Sequence, residues 1–163
     1  MAMRGDAVTA LAQIRQGLAV SHGEGLNLFR PYFLTLLAEA CGLAGKPEVG
    51  LTVLDEANAL VATTDERWWE AELHRLQGAL LLRLQNPDVS QAGACFQQAL
   101  AVAHGQQATA LELRAALSLS RLWQCQGKRD EARQLLAPIY GWFTEGFATP
   151  DLQEAKALLA ELS

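Results

Sequence analysis

The sequence predicts an all-α fold in which about eight helices form antiparallel hairpins. Three observations support this prediction. Residues that favour helices, chiefly Ala, Leu, Gln, Glu and Arg, occur throughout the 163 residues, and no segment alternates apolar and polar residues for long. Glycine and proline mark breaks between segments with helical periodicity. A pattern of small and large apolar residues also returns every 40 to 42 residues.

The breaks define eight predicted helices, which run over residues 5–21, 27–44, 47–62, 65–85, 88–104, 107–126, 129–144 and 150–162. Three start signals support these bounds, namely one capping box and two caps before a first-turn proline. They are Thr63 with Glu66, Asn86 with Pro87, and Thr149 with Pro150. Gly45 and Gly127 stand where a helix is expected to end in a tight turn.

The repeat is seen most clearly in every second predicted helix. A small residue recurs in four of them, at Ala10, Gly50, Ala92 and Ala132. Four positions later a large apolar residue follows, at Ile14, Leu54, Phe96 and Leu136. Residues four apart share one helix face, so the small residue allows a close approach between helices and the large one fills the space beside it.

This arrangement resembles the tetratricopeptide repeat, in which a first helix, a turn glycine and a second helix with small and aromatic positions form one unit. The resemblance implies a single domain over residues 1–163, stacked as a right-handed superhelix. Its parts are a half repeat at 1–22, repeats at 26–63, 65–105 and 107–145, and a capping helix at 149–163. The repeats are longer than the usual ~34 residues, so the curvature of the groove is expected to differ.

Three motifs are similar to the C-terminal repeat regions of large bacterial signalling ATPases, which often follow nucleotide-cyclase or transcription-regulator domains. The motifs are WWEAELHR at 68–75, LSRLW at 119–123 before a turn glycine, and YGWFTEGF at 140–147. The resemblance implies a non-catalytic scaffold for protein–protein interaction, which serves as the sensor or docking module of a larger bacterial signalling protein.

Composition and spacing narrow the functional classes further. A net charge of −5 and a pI near 5.2 argue against nucleic acid or an anionic membrane as the main partner. No signal peptide or membrane span is expected, and the well-separated Cys41, Cys95 and Cys125 favour a reducing compartment, so we expect a cytoplasmic protein. Phosphate-binding, nucleophile and metal-ligand motifs are missing from the sequence, and we therefore expect no enzyme activity, no cofactor and no metal.

The tetratricopeptide resemblance implies that the first helix of each hairpin lines a concave, partner-binding groove. Carried over by the alignment, the groove positions are Tyr32, Thr35, Glu39 and Leu43, then Glu72, Arg75, Ala79, Leu82 and Arg83, then Arg114, Leu117, Arg121, Gln124 and Cys125. Four of these residues are arginines, and the planar guanidinium suits carboxylates. We therefore expect a protein or peptide partner with an acidic segment or a terminal carboxylate. The alternative is that the arginines pair with Glu39, Glu72 and Glu112.

Two other functions stay open. The first predicted helix is the second half of a repeat, so either the chain is part of a longer protein or this edge is an interface. Its apolar stripe, Leu11, Ile14 and Leu18, would then form a homodimer. The other function is a small-molecule sensor that encloses its ligand between apolar and arginine-rich walls. Packing within the repeats is the expected role of Trp69, Trp123 and Trp142.

Overall fold

The computed structural model describes Gln16 and residues 29–64 and 67–163. Within this part the chain forms seven α-helices and one short 3-10 helix, without strands, which confirms the all-α prediction. The helices are α1 (Arg30–Leu43), α2 (Pro47–Thr64), α3 (Glu70–Leu81), α4 (Val89–Gly105), α5 (Thr109–Cys125), α6 (Arg129–Gly141) and α7 (Pro150–Glu161), and the 3-10 helix is Arg67–Trp69. The first predicted helix, with Leu11, Ile14 and Leu18, lies outside the described residues.

The helices pack as three consecutive hairpins, α1 with α2, α3 with α4 and α5 with α6, and α7 follows as a final helix. The first helices of the hairpins also contact one another, since α3 packs between α1 and α5, and α7 packs on α5. No comparable packing joins the second helices of neighbouring hairpins, α2, α4 and α6. The array therefore has an inner layer of α1, α3, α5 and α7, and an outer layer of α2, α4 and α6.

The repeated small and large residues form the centre of each hairpin, as predicted. Leu54, Phe96 and Leu136 are at most 2% exposed, and their small partners allow the helices to approach. At Gly78 of α3, an added Cβ would lie 2.6 Å from Cε1 of Phe96 and 2.9 Å from the Ala92 carbonyl oxygen. Such close contacts bury apolar surface at about 25 cal/mol per Å², which is what holds adjacent helices together.

Two predicted helix starts are wrong. Thr63 lies inside α2, where its hydroxyl donates a hydrogen bond to the Leu60 carbonyl, so it does not cap the next helix. The chain instead passes through the 3-10 helix before α3 begins. At the start of α4, Asp88 is the cap rather than Asn86, because its carboxylate accepts a hydrogen bond from the Gln91 backbone N–H at 2.9 Å. A carboxylate is also favoured there by the helix dipole.

Other boundary predictions are confirmed. Thr149 precedes Pro150 at the start of α7, although its side chain makes no capping hydrogen bond. Gly45 and Gly127 adopt φ values of 73° and 77°, the left-handed conformation that ends a helix and favours glycine. Among the tryptophans, Trp123 packs against the core as predicted, whereas Trp142 follows the end of α6 and is 77% exposed, so its predicted packing role is wrong.

Candidate functional site

A cavity of about 400 Å³ lies on the inner layer, between α1, α3, α5 and α7. We call it the groove cavity. It contains most of the positions that the alignment places in the groove: Glu39, Arg75, Ala79, Leu82, Arg83, Arg114, Leu117 and Arg121. Phe96, Ser118, Asp151 and Glu154 complete its lining. The structure therefore brings these predicted positions together around one cavity.

Glu72 lies beneath the groove cavity and organises two of its arginines. Its side chain is 3% exposed, and it accepts hydrogen bonds from Nε of Arg75 at 2.9 Å and from NH2 of Arg75 at 2.6 Å. NH2 of Arg114 lies 3.0 Å from the same carboxylate. Burial by itself would lower the pKa of Arg75, but the hydrogen bond and charge of Glu72 raise it above its ordinary value. Arg75 is therefore a fixed, fully charged part of the structure.

Helix α7 supplies acidic partners for the remaining inner-face groups of α5. Arg121 lies 3.5 Å from Glu154 and 3.0 Å from Glu161, and Gln124 donates a hydrogen bond to Glu161 at 3.0 Å. The Gln124 hydrogen bond and the charge of Arg121 lower the pKa of Glu161, so this carboxylate stays ionised. Asp151 lies 3.9 Å from Nε of Arg114. Sequence reasoning missed these partners because it treated the last helix only as a cap.

The structure thus largely agrees with the alternative in which the arginines pair within the domain. The partners differ in part from Glu39, Glu72 and Glu112, which that alternative named. Glu72 pairs with Arg75 and Arg114 as that alternative expects, but Glu112 pairs with His104 at 3.0 Å and not with an arginine. Glu39 forms no ion pair with a described residue, although its charge helps to raise the pKa of Arg75. Three of the four groove arginines are therefore already neutralised within the domain.

Arg83 is different from the other three arginines. It follows the end of α3 and is exposed, and its side chain makes no ion pair or hydrogen bond with any residue in 29–64 or 67–163. Its guanidinium lies over Gly42, where an added Cβ would come within 2.9 Å of NH1. Beside it, Ala79 and Leu82 add apolar surface to the groove cavity. The structure thus presents one available guanidinium next to an apolar wall.

Tyr32 and Thr35 do not line the groove cavity, contrary to the expectation from the alignment. Thr35 is 1% exposed; its hydroxyl donates to the Tyr32 carbonyl at 2.5 Å and accepts a hydrogen bond from Nε1 of Trp69 at 2.9 Å. The ring of Tyr32 stacks on Trp68 and meets Trp69 edge-on. The 3-10 helix before α3 brings these tryptophans over the start of α1, and this extra packing removes both residues from the groove wall.

Within the described residues, no cluster of three or more His, Cys, Asp or Glu side chains is arranged to hold a metal ion. In that same part of the chain, no helix combines the length and apolarity that a membrane crossing requires. The charged side chains that line the groove cavity are arginines and carboxylates.

Comparison with known proteins agrees with this architecture. No protein-family model matches the chain. An uncharacterised protein of Rhizobium meliloti (strain 1021) is 36% identical over 119 aligned residues, which cover 66% of this chain. The alignment covers 12% of that relative, so the chain spans only a small part of its length.

Two solved structures share the fold. A crystal structure of kinesin light chain TPR-like repeats from Podosopora anserina has a TM-score of 0.67 and covers 97% of this chain and 78% of its own. The structure of a variant of that protein has a TM-score of 0.69 and covers 97% of this chain and 77% of its own. Both structures are 19% identical in sequence to this chain. The likeness concerns the fold.

Fold and inner layer together define a TPR-like helical repeat domain, the class that the sequence pattern predicts. Helical repeats of this kind stack into an array with an extended concave surface.

Proposed function

We propose that the groove cavity binds a peptide or protein segment of a partner and that the domain acts as a non-catalytic docking module. The observation that carries this proposal is Arg83, an exposed guanidinium without a partner among the described residues, placed beside the apolar surface of Ala79 and Leu82. An extended segment in such a groove gains affinity from apolar contacts and orientation from a charge-assisted hydrogen bond.

The charges of the groove cavity define what this segment should look like. Its four arginines face five carboxylates, namely Glu39, Asp151 and Glu154 in the lining, Glu72 beneath it, and Glu161, which pairs with Arg121. A long acidic run would therefore meet little excess positive charge and would be repelled by Glu39 and α7. We infer that the partner presents one acidic side chain or a terminal carboxylate to Arg83, with an apolar residue beside it.

A wider biological role follows as a further part of the proposal. The signalling-ATPase motifs and the bacterial relative, of which the matched segment is a small part, support a sensor or docking module within a larger bacterial signalling protein. The thiols of Cys41, Cys95 and Cys125 form no disulfide, which supports a reducing compartment such as the cytoplasm.

The two alternative functions receive less support. The groove cavity is open to solvent and lined by charged side chains, whereas a small-molecule sensor would be expected to enclose its ligand. Self-association through Leu11, Ile14 and Leu18 concerns residues outside the described part of the chain and stays a prediction, which solution mass over a range of concentrations would test.

A selection from a random peptide library displayed on phage tests the proposed function. The immobilised domain should enrich sequences in which one acidic residue, or a free C-terminus, adjoins an apolar residue. A photoreactive version of an enriched peptide should cross-link to residues of α3 and α5 that line the groove cavity. Enrichment of basic sequences, or cross-links confined to the outer helices, would refute the proposal.

A further inference from the structure

A second cavity, of about 560 Å³, lies on the outer layer at the turn between α4 and α5. It is bounded by the end of α4, the start of α5 and the end of α6, and it shares no lining residue with the groove cavity. We propose that this outer cavity binds an alkylguanidinium group, the side chain of arginine. This inference does not depend on the proposed function of the groove.

The outer cavity contains one carboxylate among the described residues that line it, that of Glu112. The Glu112 side chain is only 20% exposed, and its Oε1 lies 3.0 Å from Nδ1 of His104, which fixes its orientation. Its second oxygen has no hydrogen-bond donor among the described residues. A half-buried carboxylate with a free oxygen is suited to a charge-assisted hydrogen bond from a cation.

Trp142 supplies the aromatic surface that a cation would contact. It caps the end of α6, where its backbone N–H donates to the Ile139 carbonyl, and its side chain is 77% exposed. An indole face attracts cations electrostatically, and a guanidinium can also stack on it. Pro138 and Ile139 form the apolar wall beside it, which suits the methylene stem of an arginine side chain.

The backbone adds a further negative contribution. The C-terminal ends of α4, which ends at Gly105, and of α6, which ends at Gly141, both border the outer cavity. The partial negative charge at a helix C-terminus favours a cation. Helix α5 begins at this cavity and has the opposite polarity, but Glu112 lies in its first turn and offsets that end. The carboxylate, the indole and two helix ends therefore favour the same kind of ligand.

The choice of guanidinium over ammonium follows from shape. A guanidinium is planar, so it can lie flat on the indole of Trp142 while its edge donates to Glu112. An ammonium is a compact, strongly hydrated charge that gains less from a flat aromatic wall. The volume of the outer cavity lies within the range of sites that bind small organic molecules or single anchoring side chains.

The test is a titration of the whole chain with N-acetyl-arginine amide, followed by the indole N–H resonance of Trp142 in an NMR spectrum. This resonance is assigned by its loss in Trp142→Phe. The neutral isostere N-acetyl-citrulline amide is the matched ligand control. We expect the arginine probe to shift the resonance saturably, with a dissociation constant of roughly 1 mM, and the citrulline probe to have little effect. Equal shifts with both probes would overturn the proposal.

Two variants test the carboxylate. Glu112→Gln should weaken binding of the arginine probe about tenfold or more, since a hydrogen bond to a charged group is lost. Glu131→Gln, which removes an exposed acid from the first turn of α6, should bind the probe as the unmodified chain does. A folded Glu112→Gln variant with undiminished binding would refute the role of Glu112 and with it the site.

A second probe, the pentapeptide Gly-Gly-Arg-Gly-Gly with blocked ends, distinguishes an arginine within a protein segment from an isolated arginine side chain. Tighter binding of the pentapeptide than of N-acetyl-arginine amide supports the site and assigns it to an arginine in a protein segment. Equal binding supports the site and shows that the side chain alone is recognised. Absence of binding by both probes contradicts the proposal.

Discussion

Glu72 and Arg75 form a two-point ion pair inside the helical array, with Arg75 Nε and NH2 at 2.9 and 2.6 Å from the two carboxylate oxygens. Only 3% of the Glu72 side chain is exposed, and Arg114 adds a third contact at 3.0 Å. One buried carboxylate thus contacts two arginines on neighbouring hairpins, because Arg75 belongs to α3 and Arg114 to α5.

Glu72→Gln is expected to lower the free energy of unfolding by about 3 kcal/mol, because removing one partner of a buried pair leaves the other charges uncompensated. Urea denaturation followed by circular dichroism measures this change. Glu145→Gln, at an exposed position after α6, serves as the control and should stay within about 0.5 kcal/mol of the unmodified chain. Equal stability of the two variants would show that the pair is not important for folding.

The contact between α3 and α4 at Gly78 predicts a cost for even one added methyl group. Gly78→Ala would place its Cβ 2.6 Å from the Phe96 ring, and we expect a loss of about 1–3 kcal/mol from overpacking. Gly105→Ala meets no atom within 4 Å and should instead stabilise the protein by up to about 1 kcal/mol, through helix propensity. Thermal unfolding of both variants measures the difference, and a stabilised Gly78→Ala variant would contradict the close packing.

The hydrogen bond from Trp69 to Thr35 predicts a structural rather than a partner-binding role for this pair. Trp69→Phe removes the indole donor but keeps most of the ring packing, so we expect a loss of about 1 kcal/mol in unfolding free energy. Affinity for a groove-binding peptide should be unchanged, because Thr35 and Trp69 do not line the groove cavity. A large loss of affinity in a folded Trp69→Phe variant would contradict this prediction and show that Thr35 and Trp69 belong to the binding surface.

The environment of His74 predicts a pH dependence of stability. Burial lowers its pKa below 6.5, and the charge of Glu70 raises it back only in part. The unfolded chain therefore binds this proton more readily than the folded chain, so stability decreases as the pH falls below about 6.5, until the lowered pKa is passed. His74→Gln should show a shallower decrease between about pH 7 and pH 5 in urea denaturation. Parallel curves for the two proteins would show that His74 does not contribute.

Much of the fold could be predicted because the sequence repeats its packing pattern. Leu54, Phe96 and Leu136 recur with a small residue four positions earlier, and periodicity alone places each at the centre of a hairpin. Helix starts are harder to place, since Thr63 and Asp88 are both acceptable caps and local signals do not show which hydrogen bond will form. The structure brings Arg75, Arg83, Arg114 and Arg121 to one cavity, and the alignment of the predicted first helices places them on one surface.

The charge balance of the groove cavity could not be predicted in the same way. Glu154 and Glu161 reach Arg121 from a helix some 33 to 40 residues further along the chain, and only the packing of α7 on α5 brings them together. Likewise, no strong sequence signal predicts the 3-10 helix that places Trp69 over Thr35. Without that helix, the alignment places Thr35 in the groove, whereas in the structure Trp69 covers it. Long-range pairing thus decides which arginine is available.

The most direct test of a groove centred on Arg83 is the dissociation constant of a library-selected peptide, measured by isothermal titration calorimetry. The comparison is between the unmodified chain, Arg83→Gln, and Arg133→Gln, which removes an exposed arginine from the outer helix α6. We predict that Arg83→Gln weakens binding about tenfold or more, since a charge-assisted hydrogen bond is lost, while Arg133→Gln leaves it unchanged. If both variants weaken binding equally, or if neither variant weakens it, the result contradicts a groove in which Arg83 recognises the partner.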